Sequence, residues 1–227
     1  MSDVQHAAAQ NRLQKIVRQA TLPAVDLLRE TKSALVLVDV TNRFILGSKV
    51  GEPASTARVL QPIERLLATA RRNDVPRYFV TVGHAPGSDT GPSLRRLADM
   101  GSDVTGRLRA ASPSSWASEI PPQIAPRAGE ITLTKWRTSA YFETGLATLL
   151  RGAGVETVVL AGVASYGCIL ASYLDACTLG FFPLLCVEAI DGARRRYHDA
   201  AMEVMGESSR IGLGDVISVW DKPHDRS

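Results

Sequence analysis

Cysteine is scarce in this chain of 227 residues: it has three, Cys168, Cys177 and Cys186, and no C-x-x-C pair. An odd number at wide spacing fits a reducing compartment better than a disulfide framework. Aromatics are also few, at 6%. None is interleaved with the one basic run, Arg194, Arg195 and Arg196, and the net charge is only +3. Nucleic-acid binding needs a basic face, commonly with stacking rings, so it is not expected. Long apolar runs are missing. The longest strongly apolar stretch, "FFPLLCV", falls far short of the roughly 20 residues of a membrane span. The N-terminus, "MSDVQHAAAQNRLQKIVRQA", carries charge where a signal peptide needs an apolar segment. Together these absences predict a soluble cytoplasmic protein with no nucleic-acid or membrane partner.

Hydrophobic residues make up 45% of the chain, enough for a sizeable core. No internal repeat is visible. Residues 1–30 read as an N-terminal helical arm, with Leu13, Ile16 and Val17 at helical spacing. Residues 31–227 read as one domain. Within it, "ALVLVDV" (34–40) is a continuous apolar run, as in a strand buried on both faces. "QPIERLLATARRNDVP" (61–76) is an amphipathic helix, with Ile63, Leu66, Leu67 and Ala70 on one stripe. Strands follow at 77–82 and 130–135, a helix at 141–154 and a strand at 155–162. A helix is expected over 168–180, a strand over 181–190, a helix over 198–205 and a last short strand over 215–220. This alternation predicts an α/β fold: three layers, α/β/α, around a mostly parallel sheet of about six strands. Residues 86–129 interrupt the rhythm and are rich in Pro, Ser and Gly. Apart from one short helix near "PSLRRLADM", they read as a loop or lid over the site.

Open α/β sheets bind ligands at the carboxyl ends of their strands. Asp39 ends the first strand, Lys135 ends the third, and Cys168 follows the fourth by a short turn. Taken singly, Asp39 reads as a capping or turn residue and Lys135 as a surface lysine at a strand end. As a set they describe chemistry. The first turn of a helix and a nearby ammonium both lower a thiol pKa, which predicts a Cys168 that reacts well below pH 8. A carboxylate can take the thiol proton and return it to a leaving amine. Turn amides can bind an oxyanion. Cys177 and Cys186 read as buried structural cysteines.

Three stretches carry a family resemblance. They are "LVLVDVTNRF" (35–44), "APRAGEITLTKWRTSAYFETGLATLLRGAGVETVVLAG" (125–162) and "GVASYGCILASYLDACTLGF" (162–181). In this order they resemble the isochorismatase-like cysteine hydrolases, over about residues 33–220. The resemblance implies a catalytic triad of Asp39, Lys135 and Cys168. It also implies a cis peptide between Val163 and Ala164, and an oxyanion hole from the amides of Ala164 and Cys168. No cofactor is implied. His84 stands where the nicotinamidase branch carries a metal motif, but Val82 replaces that motif's Asp, so no metal is expected.

The nucleophilic cysteine argues for hydrolysis of a C–N bond. The stretches around Lys135 and Cys168 look most like the N-carbamoylsarcosine amidase, maleamate amidase and biuret hydrolase group. That implies a small amide or ureide as substrate, a thioester intermediate, and a homo-oligomer with the N-terminal arm as candidate interface. Arg137 is a candidate for binding a substrate carboxylate. Phe44, Trp136 and Tyr166 are candidate pocket walls, and equally core residues. Thr41, Tyr166 and Gly167 depart from the commoner family residues, which touches specificity more than chemistry. The alternatives are a vinyl ether hydrolase of the same fold and a non-catalytic binding protein.

Overall fold

A computed structural model of the chain describes residues 3–47, 56–83, 91–99 and 116–222. Six strands form one parallel sheet in the order β3-β2-β1-β4-β5-β6. They are β1 (Ser33–Val38), β2 (Arg77–Val82), β3 (Ile131–Lys135), β4 (Thr157–Val163), β5 (Phe182–Asp191) and β6 (Arg210–Ile211). The first three strands extend the sheet to one side and the last three to the other. The topological switch therefore lies between β1 and β4, where ligand crevices open in such sheets.

The central strands are largely apolar because both faces are covered. Leu35, Leu37 and Phe79 point into one core layer; Ala34, Val36, Val38, Tyr78 and Val80 point into the other. Helices α2 (Ala24–Glu30), α4 (Leu60–Arg72) and α9 (Leu213–Trp220) cover the first face. Helices α6 (Leu146–Gly152), α7 (Leu170–Thr178) and α8 (Arg195–Met205) cover the second. The stripe of α4 is buried at Ile63, Leu66, Leu67 and Ala70. Three further helices lie outside these two groups: the long α1 (Asp3–Thr21) and the short α3 (Asn42–Ile45) and α5 (Gly91–Asp99). No helix among the described residues is long and apolar enough to cross a membrane.

An ionic clamp fixes where β3 enters the sheet. Glu130, with a side chain 3% exposed, accepts hydrogen bonds from Arg71 on α4 and Arg77 on β2. The Arg71 guanidinium, helped by the Arg127 backbone N–H and by Arg77, holds its carboxyl down at about 2 against the opposing push of burial. The strand that ends in Lys135 is thereby anchored at its start.

Several expectations are corrected. Residues 215–220 are helical, within α9, and the sixth strand is the dipeptide Arg210–Ile211. Val216, Val219 and Trp220 are buried at helical spacing, and Trp220 Nε1 donates to Ser33 Oγ at 3.0 Å. A short apolar run does not by itself distinguish the two periods. The helix expected over 141–154 begins only at Leu146. Its first residues are turns, tied down where Ser172 Oγ accepts from Ala140 N and Thr144 Oγ1 donates to Ala140 O. The helical arm is broken at Pro23, which leaves α1 and α2 as separate helices. Leu13, Ile16 and Val17 of α1 are 61%, 49% and 55% exposed. Cys177 is exposed, not buried, because nine residues along a helix turn it to the face opposite Cys168. Cys186 is buried in β5.

Candidate active site

Each member of the site is set by a strand end. Asp39 follows β1 with φ +54, in the left-handed region where short polar side chains are tolerated. Its backbone N–H still reaches back to Val80 O at 2.9 Å, and its Oδ1 accepts from Val82 N at 2.8 Å. The carboxylate is thus bolted to β2. Lys135 closes β3, with Gly83 N donating to its carbonyl at 2.8 Å. From that outer strand its long side chain passes over the end of β2 toward β1.

Beyond β4 the backbone changes form. Gly162 has φ +123, and a Cβ there would strike the Val38 carbonyl. Only glycine lets β4 press this closely on β1. The Val163–Ala164 peptide is cis. A short π-helical turn, Ser165–Ile169, then leads into α7. Such turns recur at functional sites. Ser172 Oγ donates to Cys168 O at 2.6 Å, linking this turn to the segment after Lys135.

These elements bring Asp39, Lys135 and Cys168 together. Lys135 Nζ lies 2.9 Å from Asp39 Oδ2, and donates to Cys168 Sγ at 3.2 Å and to Arg137 O at 3.2 Å. Lys135 is 1% exposed and Asp39 2%. An ammonium can be buried only with counter-charge and full hydrogen bonding. Burial pulls the Lys135 pKa down, but Asp39 and Cys168 outweigh it and the net direction is up.

The thiol behaves differently from the expectation of an acidified cysteine. It is pushed up to about 11, first by burial and then by the Asp39 charge, with Lys135 pulling the other way. At rest Cys168 is therefore a thiol rather than a thiolate at neutral pH. The helix turn and the ammonium do not outweigh desolvation beside a carboxylate. The site holds a protonated thiol beside a carboxylate that shares its lysine.

The remaining predicted residues are spread around this centre. Trp136 is 40% exposed, and its ring lies over Gly83. Arg137 is half-buried and donates from Nη1 to Trp136 O at 2.8 Å. Tyr166 is half-buried against Tyr197, with ring centroids 5.6 Å apart. Its carbonyl accepts from Arg96 of α5 at 3.3 Å, which sets part of the long 86–129 segment against the Ser165–Ile169 turn. Phe44 is half-buried on α3 and packs on the core. His84 lies outside the described residues. Among the described residues, no group of three or more His, Cys, Asp or Glu side chains is arranged to hold a metal ion.

Sequence reasoning missed a second polar cluster on the same turn: Ser165, His198, Asp191 and Arg58. The Arg run at 194–196 drew attention to this region, but a lone histidine on an apolar helix face gives little signal.

A doubly wound α/β sheet with an acid, a lysine and a thiol gathered at its switch point defines a class of hydrolase-like folds. Comparison with known proteins places the chain within it. The isochorismatase domain profile matches residues 33–212, and the chain belongs to that family. It is 33% identical to maleamate amidohydrolase of Pseudomonas putida over 193 residues, 84% of each chain. It resembles the structure of N-carbamoylsarcosine amidase from Thermoplasma acidophilum, with 26% identity, a TM-score of 0.64, and coverage of 80% of this chain and 96% of that one. A cysteine hydrolase from Pseudomonas syringae pv. phaseolicola shares the fold, with 17% identity, a TM-score of 0.72, and coverage of 84% and 92%.

Proposed function

We propose that the protein is a cysteine-dependent amidohydrolase that cleaves the C–N bond of a small amide or ureide. The observation that carries this is one buried lysine bonded to both Asp39 Oδ2 and Cys168 Sγ. The relative of P. putida named for maleamate supports the choice of substrate class.

Asp39 takes the Cys168 proton as the thiol attacks the carbonyl carbon. The raised thiol pKa makes that transfer a necessary part of attack. Lys135 offsets the charge wherever it sits, on the carboxylate before transfer and on sulfur after it. The carbonyl oxygen becomes an oxyanion held by the backbone N–H groups of Ala164 and Cys168. Asp39 returns the proton to nitrogen, and ammonia or an amine departs from a thioester. Asp39 then activates a water that hydrolyses the thioester and regenerates the thiol. Arg137 binds a substrate carboxylate, and Phe44, Trp136 and Tyr166 wall the pocket. The enzyme works without a cofactor, in the reducing interior of the cell, as a homo-oligomer.

The test is ammonia release from maleamate, N-carbamoylsarcosine, ureidoacrylate, biuret and nicotinamide, with wild type and Cys168→Ala side by side. Turnover of one of them, lost in the variant, supports the mechanism. Turnover that survives Cys168→Ala refutes it.

A further inference from the structure

The second polar cluster grips the nucleophile turn from behind. Ser165 is wholly buried, and its Oγ lies 3.0 Å from His198 Nδ1 on α8. The same nitrogen is 3.8 Å from Asp191 Oδ1, at the end of β5. Asp191 is 4% exposed. Its Oδ1 accepts from Gly192 N at 2.7 Å and from Arg58 Nη2 at 2.7 Å, and its Oδ2 from Arg58 Nε at 2.5 Å. A Cβ on Gly192 would collide with Ser165 Oγ and the Tyr166 ring, so the end of β5 is packed hard on the turn. His198 directs one nitrogen at both neighbours, which is not the geometry of a serine-protease relay. Ser165 is also sealed from any substrate.

We propose that Ser165, His198 and Asp191, anchored by Arg58, are positioning residues that lock the 164–168 turn in its oxyanion-binding form. This rests on Cys168 being the nucleophile. Ser165 lies between the two residues whose amides would hold the oxyanion, so fixing its side chain fixes both. A misplacement of about 1 Å at such a site costs on the order of a hundredfold in rate. Arg58 holds Asp191, Asp191 faces His198, and His198 holds Ser165. A buried polar chain of this kind rigidifies when every member is satisfied.

The charge around His198 gives a distinguishing readout. It is faced by Asp191 and Arg58 from one side and by Arg195 and Asp199 from its own helix. Glu203, Glu207 and Arg210 line the groove beside it. Burial is the main cause that keeps its pKa below the usual histidine value, so the ring is neutral at pH 7. Once protonated, Nδ1 must donate, and the Asp191 carboxylate competes with the Ser165 hydroxyl as the stronger acceptor. The lock loosens in acid.

The experiment follows the acylation burst with p-nitrophenyl acetate, in which the thiol forms a thioester and releases p-nitrophenol. It is run in a Cys177→Ser background, because Cys177 is exposed. Ser165→Ala and His198→Ala are expected to slow the burst about tenfold to a hundredfold at unchanged amplitude per folded chain. His198→Asn, which sets an amide where Nδ1 lies, is expected to recover to within about threefold of wild type and to shift the acid limb of the rate profile, which then reports the protonation of Asp39 without that of His198. A wild-type burst rate in His198→Ala overturns the proposal. So does a loss confined to amplitude, or an Asn variant as slow as the Ala variant with the acid limb unshifted. A burst absent from the wild type, or surviving Cys168→Ala, overturns the nucleophile assignment and this role with it.

Discussion

Asp39→Asn should move thiol reactivity and turnover in opposite directions. The substitution keeps the side chain's size and one acceptor oxygen, but removes the charge and the base. Turnover should fall about 100- to 10,000-fold, the usual contribution of a positioned base. The thiol should become more acidic, because the Asp39 charge is one of the two groups of causes holding it at about 11. Asp39 Oδ2 and Cys168 Sγ both bond Lys135 Nζ. They therefore lie within about 6 Å of each other, where a unit charge at an effective dielectric of ~20 is worth roughly 3 kcal/mol, or about two pKa units. The thiolate fraction near pH 8 would then rise about a hundredfold. Nucleophilicity falls as a thiol becomes more acidic, with a Brønsted slope near 0.4–0.5, which leaves a net gain of about tenfold in rate. The assay is thiol–disulfide exchange with 2,2′-dithiodipyridine across pH, in a Cys177→Ser background, with ammonia release measured in parallel. If exchange slows together with turnover, or the thiol midpoint stays put, the electrostatic reasoning is wrong.

Three further outcomes are expected. Gly162→Ala should lose about 3 kcal/mol or more of stability in urea titration, since its Cβ meets the Val38 backbone at a positive φ. Glu130→Gln should flatten the acid dependence of stability. The wild-type carboxyl sits at about 2, below its unfolded value, so its contribution is complete above that unfolded value and is lost as pH falls through the folded one. Integrated over that window it amounts to about 3 kcal/mol, read from urea midpoints at several pH values. Leu13→Glu with Val17→Glu, on the exposed face of α1, should lower the mass found by sedimentation if that arm joins copies of the chain.

The parallel α/β fold was legible because the central strands are buried on both faces, so each reads as an unbroken apolar run between helical stripes. β1 and β4 are the clearest cases. The meeting of three polar groups was legible as types and order: Asp39 after the first strand, Lys135 at the end of the third and Cys168 in the turn after the fourth. Where periodicity was weak, the sequence was ambiguous. The run at 215–220 fits a strand or a helix equally, and packing of Val216, Val219 and Trp220 against the sheet decides for the helix. The sixth strand is two residues long and leaves no pattern to detect.

Protonation states lay beyond the sequence. A lysine beside a cysteine predicts an acidified thiol, yet burial and the Asp39 carboxylate reverse the sign. Desolvation depends on what surrounds an atom in three dimensions, and no spacing encodes it. The same holds for Ser165, His198, Asp191 and Arg58, which come from four separate stretches of the chain. Sequence determined which reactive groups the protein carries and on which edge of the sheet they fall. Tertiary structure decided which of them touch, which are dry, and therefore where the proton rests.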